Sequence, residues 1–207
     1  MKSTWRKDGD SLMDLNGFHR CVRGRMGTRA ACRGILAGVF LLAFLSPAFA
    51  QSKESGEYQL KLAFLYNFAQ FVQWPPDAFS SSGAPLTICV LGNNPFEGQI
   101  EQSLRGREVG GHPIELRRLN PQDDPHACQM IFVRAAETQS AARIFSRAKG
   151  SSILTVGEAT GFAEKGGIIN LAREENRLRF EVNIDSAAQT RLKISSKLLS
   201  LAKIVRN

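Results

Sequence analysis

Residues 57–73 carry apolar side chains at steps of three and four, which predicts an amphipathic helix. The repeating positions are Leu60, Ala63, Phe64, Phe68, Phe71 and Val72, and the set is widened by Leu62, Leu65 and Tyr66. Pro75 disfavours helical geometry at Trp74, so the helix should end there. A helix that is apolar over most of its circumference is buried on two sides. We expect one side to contact the core and the other a partner chain or a second copy.

Short apolar runs then alternate with amphipathic segments. The runs at 86–91 and 128–133 predict buried strands, and further strands are predicted at 114–119, where the alternation is weak, at 152–156 and at 166–172. The segments between them predict helices at 95–104, at 137–149 and at about 159–164. Alternating strands and helices are typical of an α/β fold, so we predict a three-layer sandwich around a mostly parallel central sheet.

The C-terminal region has the most regular pattern. Residues 177–184 alternate polar and apolar at every step, which predicts a half-exposed strand with Arg177, Arg179, Glu181 and Asn183 facing solvent. Residues 173–176 supply a turn, so this strand should form an antiparallel hairpin with the one before it. Residues 195–205 predict a closing amphipathic helix, with Ser195 or Ser196 as its N-cap.

Residues 1–50 have the organisation of a signal peptide. Arginines precede the apolar run 35–49, which is shorter than the roughly 20 residues that a spanning helix needs. The run ends in Ala48-Phe49-Ala50, a small-x-small pattern, so we predict cleavage after Ala50 and one exported domain over 51–207. The alternatives are an uncleaved anchor and a true start at Met26, which would make residues 1–25 a mis-called start.

The charge of the chain depends on this cleavage. The whole sequence has a net charge of +8, but the leader holds eight Lys/Arg and three Asp/Glu, which leaves +3 on the mature domain. Nucleic-acid-binding domains usually carry a strong basic excess on one face. Nucleic acid is therefore not an expected partner of the exported protein.

Two cysteines remain after cleavage, Cys89 and Cys128. An even pair in an oxidising compartment favours a disulfide, provided that the runs containing them are neighbouring strands. The alternative is two free, buried cysteines that act as small hydrophobic residues. We favour the disulfide.

Motifs for phosphate, dinucleotide or metal binding are not recognisable in this sequence. The segment GNNPFEG lacks the Lys-Ser/Thr ending of a phosphate-binding loop and the glycine spacing of a dinucleotide fingerprint. His126 lies near Asp123, Asp124 and Cys128, but a metal site needs three or four ligands and an oxidised cysteine cannot be one of them. We expect neither a metal nor a cofactor.

Catalytic groups are not recognisable either, which favours a binding protein over an enzyme. The carboxylates Glu158, Glu181 and Asp185 are interpreted as caps or solvated side chains, because nothing in the sequence pairs them as acid and base. Two surfaces are candidates for a partner: the Trp74-Pro75 corner, and the polar face of the hairpin with Arg177, Arg179 and Glu181.

Four segments resemble the YfiR family of periplasmic proteins, also called DUF4154. They are FLYNFAQFVQWP, GFAEKGGIIN, RFEVN and LKISSKLLSLAKIV, and they occur in the family's order together with Cys89 and Cys128. The resemblance covers about residues 57–205. The family's second cysteine pair is missing here, because that region reads EKGGIINLAREEN.

The resemblance implies a non-catalytic repressor. Such a protein binds the periplasmic sensor domain of an inner-membrane diguanylate cyclase and lowers cyclic di-GMP and biofilm formation. It also implies sequestration by an outer-membrane lipoprotein and possible homodimers. Small aromatic ligands near LKISS would make weak ligand candidates of Arg179, Lys193 and Ser195. The alternative function is small-molecule sensing for a histidine kinase or another receptor.

Overall fold

The computed structural model describes residues 48–96, 98, 103–175 and 177–207. The strands in this part of the chain are β1 Val72–Gln73, β2 Leu86–Leu91, β3 Glu108–Val109, β4 His112–Leu119, β5 Met130–Val133, β6 Leu154–Gly157, β7 Ile169–Glu174, β8 Arg177–Asn183, β9 Lys193–Ile194 and β10 Lys203–Val205. The helices are α1 Ala48–Phe71, α2 Thr138–Ala148, α3 Ile184–Ala188 and α4 Ser196–Leu199.

Eight strands form one sheet in the order β10-β8-β7-β6-β5-β2-β4-β3. The neighbours from β4 through β2, β5 and β6 to β7 are parallel, and β8 returns antiparallel to β7. β1 and β9 pair separately as a two-stranded antiparallel sheet. The predicted α/β class, with a mostly parallel sheet and an antiparallel C-terminal hairpin, is confirmed.

Helices cover both faces of the sheet, and the strands contribute alternate side chains to each face. In β2, Leu86, Ile88 and Val90 join the hydrophobic cluster that includes α1. Cys89 and Leu91 join the cluster that includes α2. β2 is buried at every position, as expected for a central parallel strand covered on both sides.

α1 is buried along one side and exposed along the other. The buried side consists of Tyr58, Lys61, Leu62, Leu65, Phe68 and Ala69. Leu60 on the opposite side is 48% exposed. The predicted core contact of this helix is therefore confirmed, and a partner contact on its outer side stays a prediction. α1 ends at Phe71, because Val72 and Gln73 leave helical geometry to pair with Ile194 and Lys193.

The predicted helix over 195–205 is wrong beyond its first turn. Only Ser196–Leu199 is helical, and Lys203–Val205 forms β10, parallel to β8. The free edge of β8 offers main-chain hydrogen bonds, which prevail over the helical spacing of the apolar residues. The N-cap prediction is confirmed, because Ser195 Oγ accepts from the Lys197 amide at 3.2 Å.

The predicted helix near 159–164 is also wrong, since residues 160–166 form successive turns. The Phe162 ring packs directly over the backbone of Gly157 and Gly167, where a Cβ atom would collide with it. In the predicted helix 95–104, Pro95 and Phe96 form a turn, and the Phe96 amide donates to Asn94 Oδ1 at 3.0 Å. Residues 97 and 99–102 lie outside the described part of the chain.

Residues 177–184 were predicted to form a half-exposed strand, and this holds only for the first half. Arg177 and Arg179 are exposed, but Glu181 is 9% exposed and Asn183 is fully buried. Asn183 caps α3, where its Oδ1 accepts from the Ser186 amide at 2.9 Å. Ile184 belongs to α3 and not to the strand.

The predicted disulfide between Cys89 and Cys128 is present. It joins β2 to the segment just before β5, so the alternative of two free thiols is wrong. The predicted signal peptide lies almost wholly outside the described residues, and cleavage after Ala50 stays a prediction. Within the described ranges, none of the helices has the length and apolar character that crossing a membrane requires.

Candidate functional site

The Trp74 corner is fixed by one buried glutamine. Trp74 Nε1 donates to the Gln129 carbonyl at 3.1 Å. The Gln129 side chain accepts from the Thr87 amide at 2.9 Å and donates to the Ala78 carbonyl at 2.7 Å. Trp74 is half-buried and packs against the α1-side core. The corner is therefore a rigid surface at the amino-terminal end of β5.

Lys193 and Ser195 lie beside this corner. Gln73, the neighbour of Trp74, pairs with Lys193, and the Ser195 amide donates to the Phe71 carbonyl at 2.9 Å. Both residues line a cleft of ≈ 340 Å³ at the end of α1. The structure thus brings three of the predicted site residues to one side of the domain.

The hairpin candidates divide into exposed and buried groups. Arg177 and Arg179 are exposed, opposite Glu174 and Ala172 of β7. Glu181 instead accepts from Lys203 Nζ at 2.8 Å and from Asn170 Nδ2 at 3.1 Å. Two arginines therefore remain as the accessible part of the predicted polar face.

The carboxyl group of Glu181 is stabilised in its charged form. Burial alone would raise its pKa, but the hydrogen bonds from Lys203 and Asn170 outweigh burial and lower the pKa below its ordinary range. Glu181 is thus a structural carboxylate that joins β7, β8 and β10.

Sequence reasoning missed a buried charged cluster at the carboxyl ends of β5 and β6. Lys61 Nζ lies 2.7 Å from Glu158 Oε2 and 2.6 Å from Glu57 Oε1. Glu158 Oε1 accepts from Tyr58 Oη at 3.2 Å and from the Ala135 amide at 3.1 Å. The Lys61 and Glu158 side chains are only 8% and 7% exposed. The expectation that Glu158 is a cap or a solvated side chain is wrong.

Two arginines extend this cluster toward the surface. Arg134 donates to Tyr58 Oη at 3.3 Å, and Arg173 Nη1 lies 2.8 Å from Glu57 Oε2. Burial lowers the pKa of Lys61, but the hydrogen bonds to Glu158 and Glu57 outweigh it and raise the pKa above its ordinary range. Burial is the main cause of the raised pKa of Tyr58. The mutual pairing holds Lys61 in its charged form, which fits a structural role for the cluster.

The sequence contains a signal for this cluster. Lys61 lies on the stripe formed by Tyr58, Leu62 and Leu65, where an apolar residue is expected. A lysine on a buried stripe requires a carboxylate partner. The partner could not be named in advance, because Glu158 lies 97 residues further along the chain.

Together these observations define an α/β fold in which α1 is held by a buried charged cluster, with accessible surfaces at the Trp74 corner and on the C-terminal hairpin. A family model described as YfiR/HmsC-like, DUF4154, matches residues 58–203. The chain belongs to this family, whose members are periplasmic regulatory proteins without catalytic activity. The resemblance found from its motifs is confirmed.

Proposed function

We propose that this protein is a periplasmic repressor of an inner-membrane diguanylate cyclase and that it binds the periplasmic sensor domain of that enzyme. The family match over residues 58–203 carries the proposal, because regulation of diguanylate cyclases fits this family in general. The output would be cyclic di-GMP and biofilm signalling. Export would follow from cleavage after Ala50.

The Trp74 corner and the hairpin arginines are the proposed contact surfaces. Half-buried aromatic residues and arginines are the residue types that most often dominate the binding energy of protein interfaces. Trp74 is pre-positioned by Gln129, so little side-chain entropy would be lost on binding. Arg177 and Arg179 present two neighbouring positive charges to an acidic partner surface.

Repression requires that the protein binds the inactive state of the cyclase more tightly than the active state. To move the cyclase from almost fully active to almost fully inactive, that preference must reach about 5.5 kcal/mol. Sequestration by an outer-membrane lipoprotein would relieve repression if both partners used overlapping surfaces.

The first experiment is crosslinking and affinity capture of the C-terminally tagged protein from the membrane fraction of its native host. Co-purification of a cyclase with a periplasmic sensor domain is the expected result. Arg179→Glu and Trp74→Ala should each reduce capture and raise cyclic di-GMP, whereas Arg143→Glu on the exposed side of α2 should not. Equal capture by all three variants would contradict the assigned surfaces, and no captured membrane protein would contradict the receptor.

A second candidate function is small-molecule sensing for a histidine kinase or another receptor. The cleft of ≈ 340 Å³ that Lys193 and Ser195 line favours it. A ligand should then raise the melting temperature in proportion to the logarithm of its concentration, and Lys193→Ala should abolish the rise. If the rise persists in this variant, the ligand binds elsewhere.

A further inference from the structure

The outer edge of β4 is open over much of its length. β3 is the last strand of the sheet, and it pairs only with His112 and Pro113 of β4. One further bond follows, in which the Ile114 amide donates to the Arg107 carbonyl at 3.3 Å. Over residues 115–119, β4 has β2 on one side and no strand of the described part of the chain on the other. This stretch is an edge to which another strand can be added.

The main-chain groups of β4 alternate between its two sides. The Ile114 amide points away from β2, whereas the Leu119 carbonyl accepts from the amide of Gly92, the residue that follows β2, at 3.0 Å. Odd-numbered residues of β4 therefore bond toward β2, and even-numbered residues face the open side. Leu116 and Arg118 thus present N–H and C=O groups that have no partner within the described ranges. Such groups are a template for a further strand.

The side chains along this edge leave two positive charges available. Leu116 is half-buried and packs against the α1-side core, so Glu115 and Arg117 lie on the opposite face. These two side chains are 51% and 54% exposed and 3.9 Å apart, and a pair this exposed is weak. Arg118 is also exposed, and its contact within hydrogen-bond distance is a neutral one, to Asn93 Oδ1 at 3.4 Å. The edge is therefore positively charged.

A second copy of this chain is a poor occupant of the edge. Antiparallel pairing of two copies through Leu116 and Arg118 would place Arg117 of one copy directly opposite Arg117 of the other. Like charges in that position are destabilising. Registers shifted by two residues would need the amide of Ile114 or of Asn120, and each of these amides is already bonded. Since a carboxylate opposite Arg117 is favourable instead, the edge selects a different, acidic strand.

We propose that the open edge of β4 is a docking edge for an extended segment of a partner protein, which adds to the sheet as a strand and carries a carboxylate opposite Arg117. Main-chain hydrogen bonds to Leu116 and Arg118 supply affinity, and the residues opposite the side chains of β4 supply selectivity. An apolar residue fits opposite Leu116, and a second carboxylate fits opposite Arg118. The proposal depends neither on the identity of the receptor nor on the Trp74 corner and the hairpin arginines.

The test is hydrogen exchange of the purified ¹⁵N-labelled protein, measured by NMR in the presence of the peptide acetyl-Thr-Glu-Glu-Val-Thr-amide. Antiparallel addition places its two glutamates opposite Arg118 and Arg117 and its valine opposite Leu116. We expect saturable shifts and slowed exchange at the amides of Leu116 and Arg118. The amides of Glu115 and Arg117 should exchange as before, because they already bond toward β2. Unchanged exchange at Leu116 and Arg118 overturns the proposal, with or without shifts, because attraction to the arginine side chains alone would not protect these amides.

A matched peptide and matched variants separate strand addition from general attraction between charges. The peptide acetyl-Thr-Lys-Lys-Val-Thr-amide should not bind the wild-type protein. Arg117→Glu should weaken binding of the acidic peptide about tenfold, because an attractive cross-strand pair becomes a repulsive one. Arg143→Glu is the control, since it reverses the same charge on the exposed side of α2 and should keep wild-type affinity. An equal loss in both variants would assign the binding to net charge and overturn the proposal.

The alternative occupant has its own readout. In the wild-type protein without peptide, exchange at the amides of Leu116 and Arg118 should not depend on protein concentration. If these amides become protected as the concentration rises, a second copy occupies the edge, and the proposal of a different, acidic partner fails.

Discussion

Lys61 and Glu158 form a buried ion pair that joins α1 to the segment after β6. Each is almost fully buried, and each satisfies the charge of the other. Replacing such a pair with apolar residues can be neutral, whereas removing one partner leaves an uncompensated charge in the interior. The cluster therefore ties the part of α1 around Tyr58 and Lys61 to the carboxyl ends of β5 and β6.

Lys61→Met should lower the free energy of unfolding by about 3 kcal/mol, because Glu158 would stay buried without its cation. Urea denaturation measures the change. The control Lys165→Met removes an exposed lysine and should stay within about 0.5 kcal/mol of wild type. If both variants unfold at the same urea concentration, the pair is not a structural clamp.

α1 shows why the sequence could predict an element but not all of its contacts. Helical spacing identified α1, but two positions of the predicted apolar repeat, Leu60 and Ala63, are exposed, and the buried side runs through Leu62, Leu65 and Phe68. Helical spacing also predicted a helix over 195–205, and this is wrong beyond the first turn, because the edge of β8 was available to pair with Lys203–Val205. Spacing measures local preference, and it carries no information about which strand edges the rest of the chain leaves open.

The two sides of α1 should respond differently to truncation. Leu65→Ala removes a fully buried side chain and should cost about 2–5 kcal/mol. Leu60→Ala is the matched control, because Leu60 is 48% exposed, and it should change stability by less than about 0.5 kcal/mol. Chemical denaturation of both variants decides the orientation, and a larger loss for Leu60→Ala would contradict it.

The pairing of β7, β8 and β10 should become less stable in acid, because Glu181 then becomes protonated. Its pKa is lowered in the folded protein, so its contribution to stability is complete above the ordinary value of 4.5 and is lost as the pH falls below it. Glu181→Gln should therefore be less stable than wild type at neutral pH, and the difference should shrink below pH 4.5.

Thermal unfolding of wild type and Glu181→Gln over a series of pH values tests this. Glu115→Gln on β4, where the side chain is 51% exposed, serves as the control and should match wild type throughout. A difference between wild type and Glu181→Gln that is constant with pH would exclude titration of Glu181 as its source.

The domain as a whole has two hydrophobic layers that share one sheet, and the disulfide lies in the α2-side layer. The alternation of predicted strands and helices was sufficient to predict this architecture, because a strand buried on both faces requires helices on both faces. The buried polar positions could not be predicted. Glu181 and Asn183 were expected from alternation to face solvent, but both are buried in β8.

Removal of the disulfide should destabilise the whole domain. The bond closes a loop of 39 residues, for which chain entropy gives about 4 kcal/mol. The variant Cys89→Ala/Cys128→Ala should unfold at a correspondingly lower urea concentration than the oxidised protein, and reductant should not change its midpoint. Equal midpoints for the variant and the oxidised protein would contradict a stabilising role.

The same bond also bears on how fast the chain folds. β2 must pair with β4 and with β5, and the β3–β4 hairpin lies between β2 and β5 in sequence. Parallel pairing over such separations makes a high contact order, which slows folding. In the oxidised chain Cys89 and Cys128 are already joined, so β2 and β5 begin as near neighbours. We therefore expect oxidation to accelerate refolding as well as to oppose unfolding, because the bond keeps β2 and β5, at the centre of the sheet, close together in the unfolded chain.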